Sequence, residues 1–214
     1  MTTTLVQLQP QHLTPATELL TDAFADDPGM LSICGKRSPK RTRRALAGWF
    51  RATLHATLVA RQPAWVVIED DQLAGIAFGS TPGVLWPIHA WVGWLVTVGG
   101  QCGWSTVWQT MHHDQARAAY RPSHSHTVLE FLAVRAGRRG QGHGALLVEA
   151  IHRWSDAQPG RGGVWLETTR PERIPWFGKR GYALTGHLTL RSGAKAYVMY
   201  RTAPGALGGQ RAAT

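Results

Sequence analysis

From Arg138 to Ala145 the chain reads Arg-Arg-Gly-Gln-Gly-His-Gly-Ala, residue types whose spacing suits the grip of an anion. Gly140, Gly142 and Gly144 leave backbone amides uncovered by side chains, and no Ser, Thr, Asp or Asn stands where it would cap the helix that follows. Bare amides at the positive end of a helix dipole favour a phosphate, and Arg138 and Arg139 add formal charge. Three phosphate ligands compete. A nucleotide P-loop needs Lys and then Ser or Thr after its glycines, but His143 and Gly144 follow Gly142. A dinucleotide turn fits Gly140-x-Gly142-x-x-Ala145 loosely, with Glu167 as a ribose-binding acid. That fold places its fingerprint first, however, and here only 69 residues (214 − 145) follow Ala145. The third ligand is a coenzyme pyrophosphate held by Arg139-x-x-Gly142-x-Gly144. A glycine turn that merely let helix and strand pack closely would not need uncapped amides.

Ten histidines invite a metal reading. His112 and His113 are adjacent and His124 and His126 alternate, but no carboxylate or cysteine completes a zinc set at ligand spacing, so no metal is expected. His124 or His126, ahead of the strand that precedes the turn, could relay protons. His143 is expected at the solvent edge of the phosphate turn. Cys34 and Cys102 make no disulfide framework and fit a reducing, cytoplasmic setting.

The elements that must position this turn follow from periodicity. Val128 to Val134 is a mostly apolar run that reads as a buried strand, and Leu146, Leu147, Ala150, Ile151 and Trp154 recur at helical spacing behind the glycines. Upstream, Thr4 to Leu8 predicts an edge strand. A helix with Leu19, Leu20, Ala23 and Phe24 on one stripe follows it, ended by Asp26-Asp27-Pro28-Gly29. A loop to Pro39 leads into a second helix with Leu46, Trp49, Phe50, Leu54 and Leu58 on one face. Trp65 to Glu69 and Leu73 to Gly79 form a hairpin through Asp70-Asp71-Gln72. Between Thr81 and Pro122, Trp86, Trp91, Trp94, Trp104 and Trp108 crowd into two helices broken near Gly99-Gly100. They read either as an aromatic wall for an acceptor or as core filling, with a dimer or membrane-surface contact as a third reading. Val164 to Thr168 is a strand parallel to the central one, because a helix crosses between them. A short helix over Glu172 to Arg180 and a closing pair, Tyr182 to Leu190 and Lys195 to Thr202, complete the order. Residues 203–214, rich in Gly and Ala, read as a disordered tail.

With 214 residues, 43% hydrophobic and 17% charged, the chain can bury one stable core over residues 1–202. No basic and apolar leader precedes Gln11, and the longest apolar run, Trp91 to Val98, is too short to span a bilayer, so no membrane partner is expected. The net charge of +10 calls for anionic partners. Lys36, Arg37, Lys40, Arg41, Arg43 and Arg44 cluster without the interleaved aromatics of a nucleic-acid platform, so they read as a solvated face or a neighbour of phosphates.

Several motifs now stand in one order: Phe24-Ala25-Asp26-Asp27-Pro28, the glycine turn, Leu166-Glu167-Thr168-Thr169-x-Pro171, Pro175-Trp176-Phe177-Gly178-Lys179-Arg180-Gly181-Tyr182, and Met199 in the last strand. Together they resemble the GCN5-related N-acetyltransferases, in the branch that contains puromycin N-acetyltransferase. The resemblance implies an α/β fold, a mixed and mostly antiparallel sheet of about seven strands flanked by helices, with the tryptophan-rich helical segment enlarged between strands three and four. It implies acetyl-CoA as cosubstrate and a primary amine of a small molecule or peptide as acceptor, such as an antibiotic or natural product with an aromatic part. Backbone groups of Leu132, Ala133 and Val134 would pair with the pantetheine arm and polarise the thioester carbonyl. Arg139, Gly140, Gln141, Gly142, His143, Gly144 and Ala145 would hold the pyrophosphate, and Arg173 stands where relatives often have a coenzyme-contacting Asn. Phe177 stands where many relatives carry the Tyr that protonates the leaving thiolate.

Attack by an ammonium requires a base. Glu130, two residues before Leu132 and therefore expected on the same strand face, is the first choice, and Glu167 the second; water or a histidine remains. Two other readings stay open: an acyl-CoA sensor or scaffold with weakened catalysis, motivated by Phe177, and an acetyltransferase associated with nucleic acid through the basic cluster. A homodimer is a further expectation from the tryptophan-rich segment.

Overall fold

The computed structural model describes residues 2–35, 38–83, 86–159 and 162–204. Among these residues lies one seven-stranded sheet: β1 (Thr3–Gln7), β2 (Ala64–Glu69), β3 (Gln72–Ser80), β4 (Thr127–Val134), β5 (Gly163–Thr168), β6 (Ala183–Thr189) and β7 (Lys195–Thr202). Its order is β1-β2-β3-β4-β5-β7-β6, and only β4 and β5 run parallel. The helices are α1 (Leu13–Ala23), α2 (Pro28–Cys34), α3 (Pro39–Val59), α4 (Ile88–Cys102), α5 (Trp104–Ala118), α6 (His143–Asp156) and α7 (Ile174–Gly178).

Two cores sandwich the sheet. On one face Leu20, Leu46, Phe50, Leu54, Trp94 and Val98 pack against Val66, Ile76 and Phe78, so α1 to α5 form one layer. On the other, Leu147, Val148 and Ile151 of α6 meet Val67, Ala77, Leu129 and Leu166, joined by Phe177 of α7. Burial of these α6 positions gives a helix that starts on glycines a reason to form. The crossover through α6 makes β4 and β5 parallel, as a strand–helix–strand unit requires.

The stretch after α1 differs from the expected loop. Asp27 accepts from the amide of Met30 at 3.0 Å and Pro28 occupies the first turn, so the residues that end α1 also start α2, which buries Met30, Ile33 and Cys34. The β2–β3 connection is also shorter than expected. Asp70 and Asp71 both adopt left-handed conformations in a two-residue turn, and Gln72 already pairs with Glu69. Ala203 donates its amide to Gly162 at 2.7 Å, so ordered packing passes residue 202; of the expected tail, residues 205–214 lie outside the described ones. No helix among the described residues is long and apolar enough to cross a membrane.

Two irregularities in β4 shape the middle of the sheet. Phe78 pairs with Phe131 but Gly79 with Leu129, so Glu130 is the extra residue of a β-bulge. Gly79 permits it, since a Cβ there would lie 2.4 Å from the Val128 carbonyl oxygen. The β4–β5 pairing runs only from Thr127↔Val164 to Leu129↔Leu166. Beyond that point the two strands part, and the edge of Glu130–Val134 that faces away from β3 has no strand partner among the described residues.

Candidate active site

The parted strands open onto two features, the glycine turn on one side and a large cavity on the other. A single 3-10 turn, Ala136–Arg138, leads from β4 into the glycines. Gly140 (φ 81°) and Gly142 (φ 89°) take left-handed conformations that a side chain would strain, and Gly142 stands at the N-cap of α6 with no side-chain cap. The first helical amide to find a carbonyl among the described residues is that of Ala145, which bonds Gly142 at 2.9 Å. The amides of Gly140 to Gly144 therefore remain open to an anion. Gly144 is needed for a second reason: the Trp176 ring of α7 lies 3.3 Å from where its Cβ would be.

The arginines divide their labour differently from the expectation. Arg138 turns back to Glu69 at 2.7 Å, with Asp70 at 3.6 Å, so its charge is spent on the hairpin rather than on a ligand. His143 is 3% exposed, not at the solvent edge, and its Nε2 lies 3.5 Å from the same Glu69 carboxylate. Its ring is thus packed beside Glu69, with neither ring nitrogen hydrogen-bonded among the described residues, and its amide is one of the open ones. Glu69, buried at the end of β2, thus holds the turn from behind through Arg138 and His143. Arg139 stays exposed and donates Nε–H to the Val134 carbonyl at 3.3 Å. Arg173 lies within electrostatic reach of Arg139 and Arg170; burial first, then the repulsion of those two, lowers its pKa. Arg170 is held by Asp26, so Arg139 and Arg173 are the two guanidiniums left for an anion.

The cavity has a volume of about 840 Å³, within the range of small-molecule sites. Its floor is Phe131, Leu132 and Leu166, and its apolar wall includes Phe24, Met30, Trp49 and the tryptophans of α4. Trp86, Trp91 and Trp94 meet at centroid distances of 5.8–6.5 Å with tilted or edge-on rings, and Trp94 is pinned by Nε1–H donation to Thr53 at 3.0 Å. Trp94 is buried core and cavity wall together. Trp104 (67% exposed) packs outside on Gly99, and Trp108 (54% exposed) only edges the cavity.

A polar cluster sits where the cavity meets the parted strands. Helix α5 delivers His113, Asp114 and Arg117 from one side and the strands deliver Glu130 and Glu167 from the other. Arg117 binds Glu130 through Nη1 at 2.8 Å and Nη2 at 2.9 Å, and Ser80 donates to the same carboxylate at 2.6 Å. Burial opposes the Arg117 charge, but Glu130 and Glu167 outweigh it and raise its pKa. Asp114 joins Arg117 at 3.0 Å to Arg121 at 2.7 Å. His113 Nε2 lies 2.7 Å from Glu167 Oε1, while Glu167 Oε2 is buried without a hydrogen-bond partner. Burial would raise the Glu167 pKa; the hydrogen bond from His113 and the charges of Arg117 and Arg121 prevail and hold it below the usual value.

The period-two argument for Glu130 does not survive the bulge. Leu129, Leu132 and Val134 face α6, whereas Phe131 and Ala133 face the opposite core, so Glu130 does not share the Leu132 face by alternation. It still reaches the cavity, but with three hydrogen-bond donors already on it. In the sequence His113 stands out only beside His112, and the carboxylate that gives it a role lies 54 residues away. Among the described residues no group of three metal-binding side chains occurs. His124 bonds the Tyr200 hydroxyl at 2.7 Å and neither it nor His126 lines the cavity. Phe177 lines the cavity and packs edge-on against Tyr182 at 5.6 Å, whose hydroxyl points away to His152 at 2.9 Å; no tyrosine lines the cavity among the described residues. Two sequence motifs interlock here: Asp26 binds Arg170 at 2.7 Å and Asp27 accepts from Thr169 at 2.6 Å, fastening the α1–α2 corner over the end of β5.

Comparison with known proteins places this geometry. The model of the acetyltransferase (GNAT) family matches residues 22–182. Among solved structures, one described as histone acetyltransferase HPA2 and related acetyltransferase from Corynebacterium glutamicum is similar with a TM-score of 0.69 at 20% identity, covering 95% of this chain and 98% of that one. The Escherichia coli ribosomal-protein-S18-alanine N-acetyltransferase gives 0.55 at 13% identity, covering 94% of each chain. Arabidopsis thaliana Naa50, solved with a bisubstrate analogue of CoA and a peptide, gives 0.53 at 13%, covering 94% of this chain and 99% of that one. At these identities the likeness is one of fold. No curated protein sequence matches the chain.

Proposed function

Because the chain belongs to the GNAT acetyltransferase family, a family of acetyl-CoA-dependent enzymes, we propose that it acetylates the primary amine of a small molecule or peptide that carries an aromatic part. The observation that carries this reading is the cavity of about 840 Å³ that opens where β4 and β5 part. Acetyl-CoA fits the residues on the other side of that opening. The open amides of Gly140 to Gly144, with Arg139 and Arg173, would hold its phosphates, and the unpaired edge of Leu132, Ala133 and Val134 would take the pantetheine arm as an added strand. The N–H groups of that edge stabilise the oxyanion that grows on the thioester carbonyl. The wall of Trp86, Trp91 and Trp94 favours a flat apolar body on the acceptor, as antibiotic and other natural-product amines often have.

The cavity lining balances four carboxylates (Asp27, Asp114, Glu130, Glu167) against four guanidiniums (Arg117, Arg121, Arg170, Arg173), with Glu130 and Glu167 at the end where β4 and β5 part. The sensor reading rests on Phe177 alone, and a cavity of this size beside the coenzyme cleft supports turnover instead. The basic residues at the head of α3 give nucleic acid little support: Arg43 pairs with Asp22, Lys40, Arg41 and Arg44 are exposed, and Lys36 and Arg37 lie outside the described residues.

The test is release of free thiol from acetyl-CoA by the purified protein with a panel of amines: tryptamine, 2-phenylethylamine, an aminoglycoside and a short peptide with a free N-terminus. Turnover fastest with the two arylalkylamines is expected. Tight acetyl-CoA binding without turnover of any amine would make the protein a sensor and overturn the proposal.

A further inference from the structure

Resting on that reading, we propose that His113 is the catalytic base that takes the proton from the acceptor ammonium, with Glu167 as the residue that orients it. Four observations converge. Helix α5 sets His113 above the parting of β4 and β5, where the cavity meets the edge expected to hold the thioester. The contact of Nε2 with Glu167 Oε1 at 2.7 Å fixes the ring and makes Nε2 the protonated nitrogen, which leaves the lone pair on Nδ1; no hydrogen bond among the described residues engages Nδ1. Among the described residues the Glu167 carboxylate takes no side-chain hydrogen bond but that of His113, its Oε2 being buried without a partner, so its charge is held for the imidazolium that forms. Glu130, the other carboxylate at the opening, is already engaged by both Arg117 amino groups and by Ser80, whereas His113 Nδ1 is engaged by none of the described residues.

The groups that share the cavity with His113 are Asp114 and Arg117 on its own helix, Arg121 just past the end of that helix, Glu130 and Glu167 on the sheet, and Asp27, Arg170 and Arg173 across from it. Apart from Arg173 these carboxylates and guanidiniums are paired or hydrogen-bonded, and none belongs to a residue type that ordinarily changes charge between about pH 5 and 8; histidine does. His112 lies against the Trp108 ring at 5.1 Å, with no carboxylate to orient it.

The protons balance without an acid at Phe177. His113 removes one proton from the ammonium, and the freed lone pair forms the C–N bond at the thioester carbonyl. Collapse of the tetrahedral adduct breaks the C–S bond, and the electron pair leaves on sulfur. The thiolate then takes a second proton from the nitrogen, which has become acidic on acylation. The products are amide, free thiol and imidazolium, and the imidazolium returns its proton to water. A phenylalanine at 177 is compatible with this route because the nucleophile itself carries the proton the leaving group needs.

The experiment follows acetylation of tryptamine between about pH 5 and 8 in the wild type, His113→Gln, Glu167→Gln and His113→Gly with and without added imidazole. Thermal midpoint and acetyl-CoA affinity are measured on each. His113→Gln is expected to lose roughly 100-fold or more in kcat near neutral pH, with the histidine inflection gone from its profile and both controls unchanged. Glu167→Gln should lose less, and imidazole should restore part of the rate to His113→Gly. Wild-type rate and profile in His113→Gln would overturn the assignment while leaving the acetyltransferase reading intact. A loss confined to KM without imidazole rescue would overturn it too. A wild type inert towards every amine of the panel would instead remove the parent reading.

Discussion

Gly142 shows how much of the coenzyme site rests on one backbone conformation. At φ 89° it turns its own amide and those after it outward, and nothing lies within 4 Å of where its Cβ would be. Substitution therefore meets strain without collision, a cost of about 1–2 kcal/mol, and an Asp there even has the chemistry of a helix cap. The fold should survive Gly142→Asp. Its carboxylate, however, would stand among the amides meant for a diphosphate, and two unit charges about 4 Å apart repel by about 4 kcal/mol near a protein surface. Acetyl-CoA affinity should fall by at least about 100-fold while the thermal midpoint moves by no more than about 8 °C. Calorimetric titration with acetyl-CoA and a melting curve check both, and unchanged affinity would show that the turn does not hold the coenzyme. Glu69 illustrates the complementary case, a residue that no motif singles out. It acts only through Arg138 and His143, and the sequence holds no sign that those two would face it.

Among the elements, the bulge at Glu130 depends on Gly79 across the ladder. A Cβ at Gly79 would sit 2.4 Å from the Val128 carbonyl oxygen and 3.4 Å from the Pro63 ring, both on framework that cannot swing away. At Gly75, four residues earlier on β3, the nearest atom is the Leu147 Cδ1 at 2.9 Å, the end of a flexible side chain, although the Ala133 carbonyl follows at 3.2 Å. Gly79→Ala should therefore destabilise by about 1–3 kcal/mol, more than Gly75→Ala, and should reduce amine turnover more than acetyl-CoA affinity, because the bulge aims Glu130 and Arg117 at the acceptor side. Denaturant midpoints and steady-state rates of the two variants test that order; equal effects would separate the bulge from the chemistry. The same elements show what a sequence can reveal. Strands β2, β4 and β5 and helices α3 and α6 are legible because their apolar periods match one buried face, and the glycine turn is legible because its amides lack a cap. Helix α2 is not, since Asp27-Pro28 reads equally as a stop and a start. The bulge is not either, because period two carries no mark of an inserted residue; its cause lies on another strand. Nor is His113, whose meaning comes from a glutamate 54 residues away brought close by the sheet.

For the whole molecule, acid stability offers a measurable consequence of the way α6 closes on the last strands. His152 is buried behind Phe177, where burial and the charges of Arg201 and Arg180, only partly offset by Asp156, push its pKa down from 6.5 to about 4. It stays neutral beside the Tyr182 hydroxyl, which burial likewise keeps protonated. Between pH 6.5 and about 4 the unfolded chain holds a proton on this histidine that the folded chain refuses. Stability therefore rises with pH through that window and is lost on acidification from its upper edge, by about 1.4 kcal/mol per pH unit. His12, lowered by partial burial near the surface, adds a weaker slope of the same sign. Glu167 and Asp114 act elsewhere: their lowered pKa values make a contribution that is intact above the ordinary carboxylate range and is lost only as pH falls through the lowered values. The two effects are thus separated along the pH axis. Thermal midpoints should fall by roughly 4–10 °C between pH 6.5 and about 4.5 in the wild type, and the fall should shrink in His152→Gln, which can still accept from Tyr182 but does not titrate. An equally steep fall in that variant would show that His152 does not carry the acid sensitivity of this window.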